Sequence, residues 1–138
     1  LRHNFSLSYV TVDPKNDTLQ YIACGEGQLC YFMGKLKKLK KIDNLNPFIG
    51  FGSLTEFTGI NHPFEVGDSL FLISISGALL KAYQNNDFFE KELTKYIVEN
   101  ANLPAEQQTQ NILKRLKIVF SKSIYDSLIS IISIKRAS

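Results

Sequence analysis

A layered α+β domain is what this sequence predicts, with antiparallel sheet through its first half and helices packed against it. Three observations carry the prediction. Up to Ile75 the apolar residues fall in short alternating runs separated by Gly, Pro, Asn and Asp; beyond Gly77 their period lengthens to that of a helix; and the chain closes on alternating Ile and Ser. With 138 residues, 44% of them hydrophobic, the chain can bury one core, so residues 1–138 are read as a single domain.

In order, Ser6 to Val12 alternates and is rich in β-formers. Asp13-Pro14-Lys15-Asn16-Asp17 carries turn chemistry, and Thr18 to Cys24 returns as the second strand of a hairpin. Gly25-Glu26-Gly27 interrupts the pattern. Leu29 to Met33, the turn at Gly34-Lys35, and Leu36 to Ile42 make a second hairpin. Asn46 to Gly52 is a loop by its Pro and Gly content. Glu56 to His62 and Ser69 to Ile75 read as two further strands, split by a turn from Pro63 to Asp68. Leu70 to Ile75 is apolar on both faces and so belongs at the centre of a sheet covered on both sides. Ala78 to Tyr83 is a short helical candidate. Phe88 to Val98 sets Phe89, Leu93, Tyr96 and Ile97 at helical spacing, and Ala105 to Phe120 does so with Leu113, Leu116, Val119 and Phe120, behind Pro104 in the position of a helix start. Leu128 to Ile134 is the last strand.

Composition narrows the function. A net charge of +3 is too mild to imply nucleic acid. Cys24 and Cys30 have no His or Cys cluster around them, so neither a zinc site nor a disulfide framework is indicated, and a cytoplasmic location is expected. Leu70 to Leu80 and Ile124 to Ile134 are too short and too interrupted to cross a bilayer, so no membrane segment is expected within the chain. A first residue of Leu rather than Met suggests a portion of a longer protein. Lys35-Leu36-Lys37-Lys38-Leu39-Lys40-Lys41 is read as a solvated hairpin arm, with an anionic-surface patch as the alternative.

The order of several short segments is more specific than any one of them. A turn at Asp13-Pro14 is followed by the loop Asn46-Pro47-Phe48-Ile49-Gly50, a Gly67-Asp68 pair ahead of an apolar strand, Ser76-Gly77 at that strand's end, two helices, and Asp126-Ser127-Leu128 before the last strand. This order resembles the second half of a metal-dependent serine/threonine phosphatase domain of type 2C, in the SpoIIE and RsbU-like branch that regulates sigma factors. The resemblance implies a type 2C-like fold with two sheets packed face to face, and a site for two manganese or magnesium ions. Such ions need several carboxylates, hold a water between them and clamp a phosphoryl group.

The departures from that pattern matter. Ser76 stands where the resemblance places the aspartate of an Asp-Gly motif, and a neutral hydroxyl does not offset cation charge. The other ligands belong to a first half that this chain does not contain, which leaves Asp126 as the residual metal position and no catalytic residue. Each also has a structural reading: Asp126 as a turn or cap residue opening the last strand, Ser76 as the cap of a following helix.

The function expected is therefore a sigma-regulatory phosphatase-like domain, catalytically deficient as this chain. It would act through contacts with a regulatory protein such as an anti-sigma or anti-anti-sigma factor, and form a homodimer through an uncovered sheet face. No cofactor is expected in this chain, with manganese or magnesium binding only where a complete site is assembled. Two alternatives stand beside it: part of an active phosphoserine phosphatase, with a carboxylate such as Glu26 serving position 76, or a non-enzymatic α+β binding or structural domain.

Overall fold

The computed structural model of the chain describes residues 5–25, 28–42, 46–50, 56–75, 86–119 and 129–137. Seven strands and two helices lie in them: β1 (Leu7–Asp13), β2 (Thr18–Cys24), β3 (Gln28–Met33), β4 (Lys38–Ile42), β5 (Ile60–Pro63), β6 (Ser69–Ile75), α1 (Asn86–Asn100), α2 (Ala105–Val119) and β7 (Ile129–Lys135). The strands form two antiparallel sheets, a three-stranded one in the order β1-β2-β5 and a four-stranded one in the order β4-β3-β6-β7.

The layers follow from which side chains each strand turns to which face. In the four-stranded sheet, Cys30, Phe32, Phe71, Ile73 and Ile129 face the helices and meet Leu93, Tyr96, Ile97, Ile112 and Leu116. From the opposite face, Leu29, Tyr31, Ile42 and Leu70 meet Leu19, Tyr21 and Ala23 of β2. β6 lies inside its sheet, between β3 and β7, with Leu70 and Phe71 fully buried on opposite faces. The expectation of a central strand covered on both sides, with the helices on one side, is met.

Polar groups tie the helix layer to the sheet. Gln108 is fully buried on α2; its amide donates to the Ser69 hydroxyl at 3.1 Å and to the Ala101 carbonyl at 2.9 Å. Lys135, on β7, donates to the Ala101 and Leu103 carbonyls at 3.1 and 2.8 Å, capping the C-terminal end of α1 with a cation. Ser133 donates to the Ala105 carbonyl at 2.8 Å.

Local chemistry explains where the elements begin and end. The first hairpin turns on Asp13, whose carboxylate accepts the Lys15 and Asn16 backbone N–H groups and the Asn16 side-chain amide. Those bonds, led by the Asn16 side chain, hold its carboxyl below the usual range. The second hairpin differs from expectation at its far arm: Leu36 lies in the turn and β4 starts only at Lys38, after Lys37 takes a left-handed φ of 50°. Glu56 to Gly59 also lie outside the ladder, because the Thr58 N–H and carbonyl are bonded to the Asn46 side chain. α1 and α2 match their predicted ranges closely, with the Pro104 carbonyl receiving the Gln108 N–H at 2.9 Å at the start of α2. The candidate helix at Ala78 to Tyr83 lies outside the described residues.

The packing yields a direct contrast. Leu116→Ala, in the seam between α2 and the sheet, is expected to cost about 2–5 kcal/mol. Ile132→Ala, exposed on β7, should change stability by no more than about 0.5 kcal/mol. Urea midpoints of the two variants at equal slope check this.

Candidate functional site

The strand registers divide the molecule into two ends. Ile75, the last residue of β6, lies opposite Ile129, the first of β7, and Ile73 lies opposite Gln28, the first of β3. At this end β6 finishes one residue before Ser76 and β7 starts three residues after Asp126, on neighbouring strands. Ser76 and Asp126 themselves lie outside the described residues, as does Glu26.

The described part of this end is organised by Asn46. Its side chain is buried; its amide donates to the Ala23 carbonyl at 3.0 Å and the Thr58 carbonyl at 2.8 Å, and its side-chain oxygen accepts the Thr58 N–H at 2.7 Å. The Asn46 carbonyl also receives the Gly25 N–H at 3.1 Å. One side chain thus pins the Asn46-Pro47-Phe48-Ile49-Gly50 loop to the end of β2 and to the approach to β5. Ile49 exchanges two backbone hydrogen bonds with Phe5, at 3.1 and 3.0 Å, closing the loop against the start of the chain. Gly25 is required here: its φ is +75°, and an added Cβ would stand 2.7 Å from both the Phe48 ring and the Ser6 hydroxyl.

The opposite end is organised by Asp68. Its buried carboxylate accepts the Gly34 N–H at 2.8 Å, the Glu65 N–H at 2.9 Å and the Tyr31 hydroxyl, which also reaches the Pro63 carbonyl at 2.7 Å. Burial first, and then the hydrogen bond and charge of Asp68, push the Tyr31 phenol well above its ordinary range. Gly67, at φ +94°, makes the turn, and a Cβ on Gly34 would collide with the Gly67 carbonyl oxygen. The β3–β4 and β5–β6 turns are therefore held backbone to backbone. Lys35 and Glu65 pair across the same junction.

This geometry assigns the Gly67-Asp68 pair. Asp68 directly precedes β6, whose seven residues carry the chain roughly 23 Å on to Ile75, so the pair stands at the end of the strand away from the junction with the start of β7. Asp68 is a structural anchor, its oxygens taken up by three donors. Among the described residues no group of three or more His, Cys, Asp or Glu side chains could hold a metal ion. The described donor set does not fit a two-cation centre.

Asn46 and Tyr31 are the residues that sequence reasoning missed. An Asn directly before Pro in a Gly-bounded loop was the available signal for the first. An aromatic hydroxyl on an otherwise apolar inward face, needing a partner, was the signal for the second.

The family model of stage II sporulation protein E (SpoIIE) matches residues 2–132. The SiaA-PP2C domain of Pseudomonas aeruginosa has a similar structure, with a TM-score of 0.72 and 16% identity over 98% of this chain and 53% of that one. The manganese-presoaked phosphatase domain of the cell fate determinant SpoIIE from Bacillus subtilis gives a TM-score of 0.67 and 14% identity, over 97% and 57% of the two chains. The RsbU and RsbW domains of a Mycobacterium tuberculosis protein give 0.66 and 12%, over 96% and 37%. No curated protein matches the chain in sequence. The fold is that of type 2C phosphatase domains, and this chain spans 53% and 57% of the first two of these structures.

The Asp68 anchor makes a pH-dependent prediction. The folded Tyr31 phenol ionises above its ordinary value of 10.0, so its contribution to stability is complete below about pH 10 and is lost as pH rises beyond it. Tyr31→Phe is expected to cost about 1–3 kcal/mol at neutral pH, because Asp68 loses a donor. The variant should also lose less stability than the parent between neutral pH and the alkaline range, as read from thermal unfolding.

Proposed function

The chain belongs to the family of stage II sporulation protein E, and from that premise we propose that it is a sigma-regulatory phosphatase-like domain, catalytically deficient as this chain, working through protein contacts. One observation carries the reading. At the end where neighbouring strands β6 and β7 meet, the residue following Ile75 is Ser76, and the sole carboxylate in the segment leading into β7 from Ser121 is Asp126. One carboxylate with a neutral hydroxyl supplies too little negative charge for two hard divalent cations, which demand several oxygen anions. What manganese or magnesium would contribute in a complete site is an activated water and a clamp on the phosphoryl oxygens. This chain's own described residues position the surrounding loop through Asn46.

Protein contact is supported by the outer face of the three-stranded sheet. The register sets Tyr9 beside Ile22 on the face turned away from the core, with Leu7 two residues before Tyr9 on the same face of β1. Leu7 and Tyr9 are exposed, and Tyr9, Thr11, Gln20, Ile22 and Asn61 line a depression of about 410 Å³ there. An exposed face that mixes Leu7, Tyr9 and Ile22 with Thr11, Gln20 and Asn61 has the composition of a protein contact. In our reading the partner is a regulatory protein of the anti-sigma or anti-anti-sigma kind, with a second copy of the chain on the same face as the homodimeric form, in the cytoplasm. No helix among the described residues is long and apolar enough to cross a membrane.

Coverage favours one second reading. Since the chain spans little more than half of the type 2C domains it matches, carboxylates from the remaining half would convert the same end into a working phosphatase.

Calorimetric titration with manganese and turnover of a generic phosphoester separate the readings. We expect neither saturable micromolar binding nor metal-dependent turnover from this chain. Both, abolished by Asp126→Ala, would overturn the deficient reading. Ser76→Asp is expected to raise manganese affinity at least tenfold, about 1.4 kcal/mol, and no change would assign Ser76 to helix capping alone. Light scattering during size exclusion should give a dimer that Tyr9→Glu dissociates.

A further inference from the structure

The lysine-rich hairpin between β3 and β4 is not used by the phosphatase reading. It carries Lys35, Lys37, Lys38, Lys40 and Lys41, with no acidic residue between Gly34 and Ile42. At its tip stands Leu36, 63% exposed between two exposed lysines. Val66, 49% exposed, stands on the adjoining β5–β6 turn. These two turns do not move independently: the Gly34–Gly67 backbone contact, the Gly34 N–H bond to Asp68 and the Lys35–Glu65 pair lock them together. The result is a rigid knuckle with exposed apolar side chains on both turns and lysines around the first, at the end of the molecule opposite the Ile75–Ile129 pair.

We propose that this knuckle is a peripheral docking surface for an anionic lipid bilayer, with Leu36 entering the headgroup region and Lys37, Lys38 and Lys40 lying against the acidic headgroups. Charge complementarity selects this occupant over a neutral apolar partner. Lys37, Lys38 and Lys40 are exposed, and every side chain on the tip between them is either cationic or aliphatic. Bilayer association of this kind needs two signals, an inserted apolar group and a basic cluster, because either alone holds only weakly. Both are present on one preorganised element, so little conformational freedom is lost on docking. The surface lies away from the end assigned to phosphatase chemistry, so the inference stands whether or not that chemistry is complete.

Co-sedimentation of this chain with phosphatidylcholine vesicles, with and without phosphatidylserine, tests it. Binding is expected only with phosphatidylserine present. It should weaken as salt rises from about 0.1 to 1 M, where the screening length falls from about 10 to 3 Å. Each lysine near an anionic surface contributes about fivefold to the partition coefficient, so Lys37→Asn with Lys38→Gln should lower it about 25-fold. Asn suits the left-handed backbone at position 37, and the thermal midpoint should stay at the parent value. The chain has no Trp, so Leu36→Trp supplies a sole reporter whose emission should shift to the blue on adding anionic vesicles. Equal binding to neutral vesicles, an unshifted emission from the Leu36→Trp variant, or binding to an acidic polypeptide with none to vesicles would each overturn the proposal.

Discussion

Everything in this fold depends on β6 being buried from both sides. A strand with Leu70 and Leu72 on one face and Phe71 and Ile73 on the other is stable only as the middle of three layers. That requirement places β3 and β7 at its flanks, the helix pair over one face and the three-stranded sheet over the other. The polar ties act within this arrangement. Gln108 and Lys135 satisfy carbonyls at the junction of α1 and α2, while Asp68 and Asn46 hold the two ends of the sandwich. Asn46 and Asp68 are buried with hydrogen-bond partners to their side-chain oxygens, and losing those partners would be costly, so they help fix a single arrangement of layers that apolar packing alone would leave loose.

The two ends differ in character. At one, short turns are held by main-chain contact: Gly34 against Gly67, with Asp68 gathering donors from three segments. At the other, a single amide side chain, Asn46, organises a longer loop, at the end where β6 finishes and β7 begins. The turn-locking contacts and the Asn46 loop thus lie at opposite ends of β6. Family membership and the type 2C fold agree with this two-sheet arrangement, and the proposal of an incomplete cation site rests on the residue identities at positions 76 and 126.

Much of the fold was legible because the period of the apolar residues changes so plainly at Gly77. β2 and β6 are read from sequence to the residue, and α1 and α2 to within two residues at each end. The misreadings have a shared cause. Leu36 looked like strand because alternation was counted through a turn whose geometry depends on Lys37 adopting a positive φ. Glu56 to Gly59 looked like strand because their backbone partner is a side chain ten or more residues away, which no local pattern reveals. The candidate site was legible only as an order of motifs. Asp68 matched its motif but serves as an anchor, and distinguishing that role needed the strand length between it and Ser76. Position 126 is marked by sequence and resemblance alone.

The pairing of β6 with β7 also orders events in time. Ile75 meets Ile129 and Ser69 meets Lys135, so one flank of the central strand is supplied by a segment synthesised long after it. At roughly 5–20 residues per second, a ribosome leaves that flank open for several seconds. During this interval β6 presents an unpaired apolar edge beside β3, and α1 and α2 must settle on a sheet that lacks its last member. Until β7 emerges, this edge of β6 is open to wrong strand pairing, and the arrival of β7 closes it.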